Sequence, residues 1–312
     1  MTRTVVARGY GGPENLALID EPDRDPGADE VVVRVAAIGV NPIDHKLYSG
    51  AFGSDPDGLP VRLGNEAAGT VVEVADGVSG PTGPIAVGDE VVVYPVDGAY
   101  TDRIVAPSGS ILHIPTGVSV EQAAGLLAVG VTAYDLIRTA GVTGDDTVVV
   151  HGGTGAVGSL AVQIAVAAGA RVIATGRLDN HAAIEALGAT AVAYGDGLLD
   201  RLRAASPDGY TVALDAAGTD EAIDASLELV AERSRIVSIV AFGRAGDGIV
   251  VIDGSSESSR RIRSETRTTL LDQLAAGDIT VTTAKTFPLA DAADAHRELQ
   301  SSHPRGKFLL IP

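Results

Sequence analysis

The sequence has 312 residues, 45% of them hydrophobic, which is enough to bury a proper core and favours two domains. Its 41 acidic and 23 basic residues give a formal charge of -18, which opposes binding to nucleic acid or to an anionic membrane. The chain has no cysteine, and this excludes disulfides, thiolate zinc sites, iron–sulfur clusters and cysteine nucleophiles.

The first part of the chain, up to about Pro115, is predicted to be a compact β region. Short valine-rich runs such as EVVVRVAAIGV, GTVVEVA and DEVVVYP are separated by Pro, Gly and Asp residues, a spacing typical of a sheet partly closed on itself. The start, MTRTVVARGY, alternates like a strand and shows no basic segment followed by an apolar one. No segment is apolar enough to span a membrane, so we expect a soluble cytoplasmic protein.

From about Val120 the pattern changes to alternating helices and strands. VEQAAGLLAVGVTAYDLIRTAG predicts a helical pair, and from Thr147 the strands TVVVH, RVIAT, TVALD and RIVSIV alternate with helices. This alternation predicts a parallel sheet covered on both faces. The last segment, AKTFPLADAADAHRELQSSHPRGKFLLIP, predicts a strand, a helix and a final strand.

A glycine-rich turn follows the first of these parallel strands. Gly153, Gly155 and Gly158 spell G-x-G-x-x-G between TVVVH and a helix. Glycines there permit a tight turn and a close approach to a pyrophosphate, and the helix N-terminus favours the bound anion. The glycines alone can also make a mere tight connection, but the flanking strands and helix favour dinucleotide binding. The predicted contacts are Gly152, Gly153, Thr154, Gly155, Ala156, Val157 and Gly158.

The end of the second parallel strand predicts which dinucleotide is bound. NAD-binding folds usually place an acidic side chain there, whereas this chain has Thr175, Gly176 and Arg177, with Asp179 as the nearest acid. A guanidinium suits the 2′-phosphate of NADPH. We therefore predict NADPH as the cofactor; the alternative is that Arg177 is an ordinary solvated arginine.

Several motifs, in this order and spacing, resemble the zinc-independent quinone oxidoreductases of the medium-chain dehydrogenase/reductase superfamily. They are GYGGPENLAL, AAIGVNPIDHKLYSG, GNEAAGTVVEVADGV, GVTAYDLI, VHGGTGAVGSLAVQIA, FPLADAADAHREL and RGKFLLIP. The resemblance implies a GroES-like β-barrel catalytic domain over 1–122, completed by 285–312. It implies a Rossmann NADPH-binding domain, with a doubly wound parallel sheet, over 123–284. It also implies a homodimer joined through the edge strands of the Rossmann sheets.

The same resemblance argues against a metal. The positions that match the catalytic zinc ligands of zinc-dependent alcohol dehydrogenases look like Asn41, Asn65 and Ala128, and none of these is a useful zinc ligand. The four-cysteine loop of a structural zinc site is also missing. Glu66, next to one of these positions, is expected to be a structural acid held by a nearby arginine rather than a general base.

The chemistry that remains is hydride transfer from NADPH to an acceptor that needs little activation. A quinone fits, so the leading prediction is an NADPH:quinone reductase. The alternatives are an NADPH-dependent enone, enoyl or alkenal reductase, and a non-catalytic NADPH-binding protein. In the resembled family the loop GVNPIDHKLYSG faces the nicotinamide, which makes Asn41, Asp44, Lys46 and Tyr48 candidates to stabilise a developing oxyanion. Lys46 can instead be a surface lysine, and Tyr48 can instead pack against the β domain.

The resemblance implies further cofactor residues outside the glycine turn. Thr132 matches a threonine beside the nicotinamide, or it caps a helix. Tyr194 looks like a neighbour of the 2′-phosphate, or it is an ordinary half-buried aromatic residue. The end of the fifth parallel strand is expected to contact the nicotinamide carboxamide through backbone groups of Val240, Ala241 and Phe242.

Overall fold

A computed structural model describes residues 1–302 and 305–312. The chain divides into two compact units, Met1–Ala128 with Val281–Pro312, and Val129–Thr280. These units divide within about six residues of the predicted domain bounds at 122 and 285. Among the described residues, no helix combines the length and the apolar character needed to cross a membrane.

The N-terminal part of the first unit consists mainly of short strands. In chain order they are β1 (Thr2–Ala7), β2 (Leu16–Glu21), β3 (Glu30–Val40), β4 (Val61–Arg62), β5 (Ala67–Val74), β6 (Ser79–Gly80), β7 (Gly83–Pro84), β8 (Glu90–Val93), β9 (Arg103–Pro107) and β10 (Ile111–His113). The helices of this part are α1 (Pro42–Tyr48) and α2 (Val120–Ala124), with 3-10 turns at Pro13–Asn15, Pro56–Gly58 and Ser108–Ser110.

The second unit alternates strands with helices, as its sequence predicts. Its elements are α3 (Leu127–Ala140, which starts at the end of the first unit), β11 (Thr147–His151), α4 (Ala156–Ala167), β12 (Arg171–Gly176), α5 (His181–Ala186), β13 (Thr190–Ala193), α6 (Leu198–Ala205), β14 (Val212–Asp215), α7 (Asp220–Leu229), β15 (Ile236–Ser238), β16 (Val250–Val251) and α8 (Glu257–Ala276). Its 3-10 turns lie at Leu178–Asn180, Arg233–Arg235 and Phe242–Asp247.

The strands of the second unit form one parallel sheet. Within residues 147–251, all of them described, the strand order is β13-β12-β11-β14-β15-β16. Numbered from β11, this order is 3-2-1-4-5-6, the doubly wound arrangement of the Rossmann fold. The predicted fold of this domain is therefore confirmed, and the turn after β11 lies where the strand order reverses, which is the usual ligand site of such sheets.

The C-terminal segment returns to the first unit. It contains β17 (Thr283–Pro288), a 3-10 turn at Leu289–Asp291, α9 (Ala292–Ser301) and β18 (Lys307–Ile311), so the predicted strand, helix and final strand are confirmed. β18 pairs antiparallel with β3 and parallel with β17, within a sheet ordered β10-β8-β5-β3-β18-β17. The register sets Phe308 opposite Val40. Because the two strands are antiparallel, Lys307, which precedes Phe308, lies near Asn41, which follows Val40 and begins α1.

Candidate active site

The glycine turn after β11 has close contacts that leave no space for a side chain at Gly153 or Gly158. A Cβ at Gly158 would lie 2.1 Å from the carbonyl oxygen of Gly152, and one at Gly153 would lie 2.7 Å from Cβ of Ala174. Gly152 itself has a φ of +78°, which glycine adopts without strain. The start of α4 can therefore pack directly on the turn and on β12.

The N-terminus of α4 is open to an anion. Gly155 is the N-cap residue, and no side chain caps the helix. The N–H groups of the first helical turn have no partner within their own helix, and the helix dipole adds positive potential there. This 12-residue helix thus offers what a pyrophosphate needs, and the glycines keep its approach free of side chains. The residues present fit a dinucleotide.

The end of β12 supplies the groups expected to select the cofactor. Thr175 is buried, and its hydroxyl accepts a hydrogen bond from the Gly152 N–H at 3.2 Å, so it ties the glycine turn to the end of β12. Arg177 is exposed and forms no ion pair within residues 1–302 and 305–312. Tyr194, after β13, is 53% exposed. These placements leave the guanidinium available to a phosphate and fit NADPH.

A buried carboxylate and a hydroxyl, which sequence reasoning missed, hold the loops after β14 and β15. Asp215 Oδ1 accepts the N–H groups of Ala217 and Gly218, both at 3.0 Å, and Asp215 Oδ2 accepts the Ser238 hydroxyl at 2.6 Å. Both residues end a parallel strand, and strand ends of this sheet are where polar groups collect around a ligand. That position is the signal that could have found them.

Ser238 also determines what the following backbone can offer. Its hydroxyl oxygen accepts the N–H groups of Val240 at 3.1 Å and Ala241 at 2.9 Å, and the Phe242 N–H donates to the Val240 carbonyl at 3.0 Å. All three N–H groups are therefore used inside the protein. A carboxamide bound here would be recognised by backbone carbonyl oxygens, and its contact with Val240, Ala241 and Phe242 stays a prediction.

Thr132, on α3, is half-buried.

Helix α1 turns two of the predicted catalytic residues inward. Asp44 and Tyr48 lie one helical turn apart and are both fully buried. Tyr48 Oη is 2.7 Å from Nδ1 of His296, whose Nε2 is 2.8 Å from Oη of Tyr100. The Tyr100 hydroxyl in turn donates to Asp44 Oδ2 at 3.1 Å. Tyr48 and Asp44 are thus joined through a buried polar chain.

The remaining two candidates, Asn41 and Lys46, lie at the two ends of α1. Lys46 is half-buried in the last turn of α1, and Asn41 is the buried residue that begins the helix. The Asn41 N–H donates to Asp44 Oδ2 at 2.8 Å, which fixes the first turn. Direct contact of any of the four with an acceptor stays a prediction.

Burial raises the pKa of Asp44 to about 7, although the Asn41 N–H, the Lys307 charge and the Tyr100 hydroxyl oppose this shift and the Glu66 charge adds to it. Its Oδ1 has no hydrogen-bond partner among the described residues. Since the ordinary value is 3.8, folded Asp44 keeps a proton between pH 4 and 7 that the unfolded chain has lost. The free energy of unfolding contributed by this group therefore falls as the pH rises through that window.

Replacing Asp44 by asparagine should remove this pH dependence. We expect the unfolding free energy of Asp44→Asn, relative to the parent, to rise by about 2–3 kcal/mol between pH 5 and pH 8. Urea unfolding at both pH values measures the difference, with the exposed Asp208→Asn as a matched control. A difference that is equal at the two pH values would show that Asp44 does not titrate in this range.

A second buried cluster lies where β18 meets the start of α1. Lys307 Nζ is 2.7 Å from Glu66 Oε1 and also donates to Asn41 Oδ1. Glu66 Oε1 accepts the Asn41 amide N–H at 3.1 Å, and Glu66 Oε2 accepts the Ala128 N–H at 2.8 Å. Lys307 and Glu66 are 2% and 0% exposed. Glu66 is thus a structural acid, but the predicted arginine partner is wrong: the cation is a lysine from the last strand.

Comparison with known proteins decides the family. Models of an alcohol dehydrogenase GroES-like domain and of a zinc-binding dehydrogenase match residues 27–116 and 187–310. The chain is 32% identical to a quinone oxidoreductase of Pseudomonas aeruginosa, covering 100% of both chains. It is 33% identical to quinone oxidoreductase 1 of Escherichia coli, covering 97% of each. This chain belongs to the zinc-independent quinone oxidoreductase family.

Solved structures agree with that family. The crystal structure of the Escherichia coli quinone oxidoreductase complexed with NADPH matches this chain over 100% of both chains, with a TM-score of 0.85 and 31% identity. The predicted fold, a GroES-like β domain with a Rossmann domain, is confirmed by this match and by the matched GroES-like model.

The match to a zinc-binding dehydrogenase family raises the question of zinc, and the donor set of this chain does not fit that ion. Asn41 and Asn65 offer only amides, and Ala128 offers no donor. The carboxylate beside them, Glu66, is already neutralised by the Lys307 ammonium at 2.7 Å. A divalent cation placed there would be repelled by the ammonium. Among the described residues, no group of three or more His, Asp or Glu side chains is arranged to hold a metal.

Proposed function

We propose that this protein reduces quinones with NADPH and without a metal. The observation that carries the proposal is the glycine turn of the second unit, where Gly152 and Gly158 pack backbone on backbone beneath an uncapped helix. Full-length similarity to quinone oxidoreductases, one of them solved with NADPH, supports the same cofactor and acceptor class.

The chain's own residues bind and orient the cofactor. When bound, NADPH supplies the hydride, and a quinone accepts it without a metal because its carbonyls are conjugated. Gly152 to Gly158 would hold the pyrophosphate, Arg177 would hold the 2′-phosphate, and Asp215 with Ser238 keeps the neighbouring loops in place. Thr132 and Tyr194 are proposed as flanking contacts, and backbone carbonyls of residues 240–242 as the contact to the carboxamide.

The polar residues on and around α1 would serve the acceptor. Lys46 is the cation closest in sequence to the two buried positions of this helix, and an ammonium attracts the oxygen that becomes negative during reduction. Asp44 and Tyr48 are proposed to position the helix through Tyr100 and His296. Asn41 fixes the start of α1, because its side-chain oxygen accepts a hydrogen bond from Lys307.

Oxidation of NADPH by the purified protein, followed with a panel of quinones, enones and enoyl thioesters, tests the proposal. We expect quinone-dependent oxidation. Faster turnover with enones or enoyl thioesters would assign the chain to alkene reduction instead, and no oxidation with any acceptor would indicate a protein that only binds NADPH.

Removing the guanidinium after β12 should weaken NADPH binding selectively. Because a hydrogen bond to a charged group contributes about 1.5–3 kcal/mol, Arg177→Ala should raise the Kd for NADPH roughly 10-fold or more and leave the Kd for NADH unchanged. Fluorescence titration measures both constants, with the exposed Arg203→Ala as control. Equal constants for the two cofactors in the parent, unchanged by Arg177→Ala, would contradict NADPH selection.

Two further features belong to the proposal. The resembled family implies a homodimer through edge strands, and β16 lies at one edge of the described parallel sheet. Light scattering at micromolar concentration should give twice the chain mass, and a monomer would contradict it. We also propose a cytoplasmic location.

A further inference from the structure

A buried histidine immediately precedes the glycine turn. His151 is the last residue of β11 and is 1% exposed. Its two ring nitrogens face different elements of the second unit: Nε2 lies 3.1 Å from Oγ of Ser226 on α7, and Nδ1 lies 3.5 Å from Oγ1 of Thr175 at the end of β12. His151 therefore connects α7 to the threonine that holds the turn.

The hydrogen bonds of Ser226 determine which nitrogen of His151 carries the proton. The Ser226 hydroxyl donates its one proton to the Ala222 carbonyl at 2.8 Å, so its oxygen can only accept a hydrogen bond from the ring. Nε2 of His151 must then be protonated. Burial lowers the pKa of His151 from its ordinary value of 6.5, although the Asp215 charge opposes this shift, so the ring is neutral at pH 7.5. Nδ1 is consequently unprotonated and can only accept.

This unprotonated nitrogen sets the direction of the Thr175 hydroxyl. Thr175 is 2% exposed, and buried hydroxyls are nearly always hydrogen-bonded. In the described part of the chain, no acceptor other than Nδ1 of His151 lies within hydrogen-bond distance of this hydroxyl. The Thr175 proton is therefore directed to His151, and a lone pair of the same oxygen is left to accept the Gly152 N–H at 3.2 Å.

Gly152 transmits this contact to the start of α4. Its N–H is held by Thr175, and its carbonyl accepts the N–H of Gly155, the N-cap residue of α4, at 3.0 Å. Both ends of the Gly152 residue are thus fixed. The orientation of this residue sets where α4 begins and where the N–H groups of its first turn point.

We propose that His151 is a positioning residue for NADPH: its unprotonated Nδ1 orients the Thr175 hydroxyl, which fixes Gly152 and the glycine turn for the pyrophosphate. The proposal rests on the proposed function, because it requires a dinucleotide at this turn, and it adds a buried residue that acts through Thr175. The pyrophosphate is common to NADPH and NADH. His151 should therefore affect the two cofactors equally, whereas Arg177 should affect NADPH alone.

Two substitutions at position 151 separate the Nδ1 contact from the Nε2 contact. In His151→Asn the side-chain oxygen can take the place of Nδ1 and accept the Thr175 proton, whereas Ser226 loses its donor. In His151→Gln the longer side chain can place its NH2 group where Nε2 lies, which keeps the donor to Ser226 and leaves Thr175 without an acceptor. From the typical contribution of one hydrogen bond, we expect His151→Gln to raise the Kd for NADPH and the Kd for NADH alike by about 5–10-fold. His151→Asn should change either constant by less than about 2-fold.

His113→Gln is the matched control for the change of side chain. His113 belongs to the first unit, is half-buried, and has its ring nitrogens 2.7 Å from the Thr82 hydroxyl and 3.1 Å from Asp89 Oδ2. This variant should keep both parental constants. Fluorescence titration with NADPH and with NADH measures all four proteins.

A nitrogen NMR spectrum of the parent, labelled with ¹⁵N-histidine, tests the proton positions without any variant. At pH 7.5 we expect His151 to be protonated on Nε2 and unprotonated on Nδ1. Protonation on Nδ1 would overturn the role of His151. So would a parental Kd in His151→Gln, a loss of affinity in His151→Asn as large as in His151→Gln, or a change confined to NADPH. A parent that binds neither NADPH nor NADH would instead refute the proposed function.

Discussion

Lys307→Met should lower the free energy of unfolding by about 3–5 kcal/mol, because it leaves the Glu66 carboxylate buried without its counter-ion. The two remaining donors to that carboxylate, the Asn41 amide and the Ala128 N–H, do not neutralise its charge. Replacing both partners in Lys307→Met/Glu66→Gln should recover much of the loss, since no uncompensated charge is then buried. Urea unfolding at pH 7 measures all three proteins.

Lys285→Met is the matched control for this change. Lys285 lies 2.6 Å from Glu298, but both side chains are more than a third exposed, and exposed ion pairs contribute little. We expect a loss of at most about 1 kcal/mol for this variant. If Lys307→Met were no less stable than Lys285→Met, the buried pair would not hold the meeting point of β18 and α1.

Gly158→Ala should abolish most of the NADPH affinity. The Cβ of the alanine would lie 2.1 Å from the Gly152 carbonyl oxygen. The backbone at Gly152 and at position 158 cannot separate without shifting α4 away from the turn. Overpacking of this kind costs about 1–3 kcal/mol in stability. Displacement of the N–H groups that hold the pyrophosphate should raise the Kd for NADPH on the order of 100-fold, equivalent to about 2.7 kcal/mol. Fluorescence titration and thermal unfolding measure the two effects.

Gly243→Ala provides the comparison, since a Cβ at Gly243 would meet no atom within 4 Å and its φ is not positive. This variant should keep the parental Kd and melting temperature. An unchanged Kd in Gly158→Ala would mean that the close approach of α4 to the turn is not required for cofactor binding.

Local sequence pattern predicts the second unit well because each of its strands and helices has a clear pattern of its own. The strands TVVVH, RVIAT and TVALD are short apolar runs bounded by turns; TVVVH pairs with RVIAT through the single helix α4, and with TVALD where the strand order reverses. By contrast, the sequence pattern does not predict α8, since its first half, ESSRRIRSETR, is polar and lacks a clear apolar stripe. Only packing of Ile262, Leu270 and Leu271 shows which face of this helix is buried.

The candidate site was predictable where it depends on local sequence and not where it depends on distant pairing. The glycines at 153, 155 and 158 indicate their turn together with the strand and helix that flank them, whereas Lys307 is 241 residues from Glu66 along the chain and meets it only because β18 pairs with β3. Nor does the loop sequence show that Tyr48 faces His296.

Steady-state reduction of a quinone by NADPH, measured together with the zinc content of the same protein sample, tests the central claim most directly. We expect quinone-dependent NADPH oxidation by protein that holds far less than one zinc atom per chain, at a rate unchanged by a chelator. A rate that rises in proportion to added zinc, or no quinone-dependent oxidation at all, would contradict an NADPH-dependent quinone reductase that works without a metal.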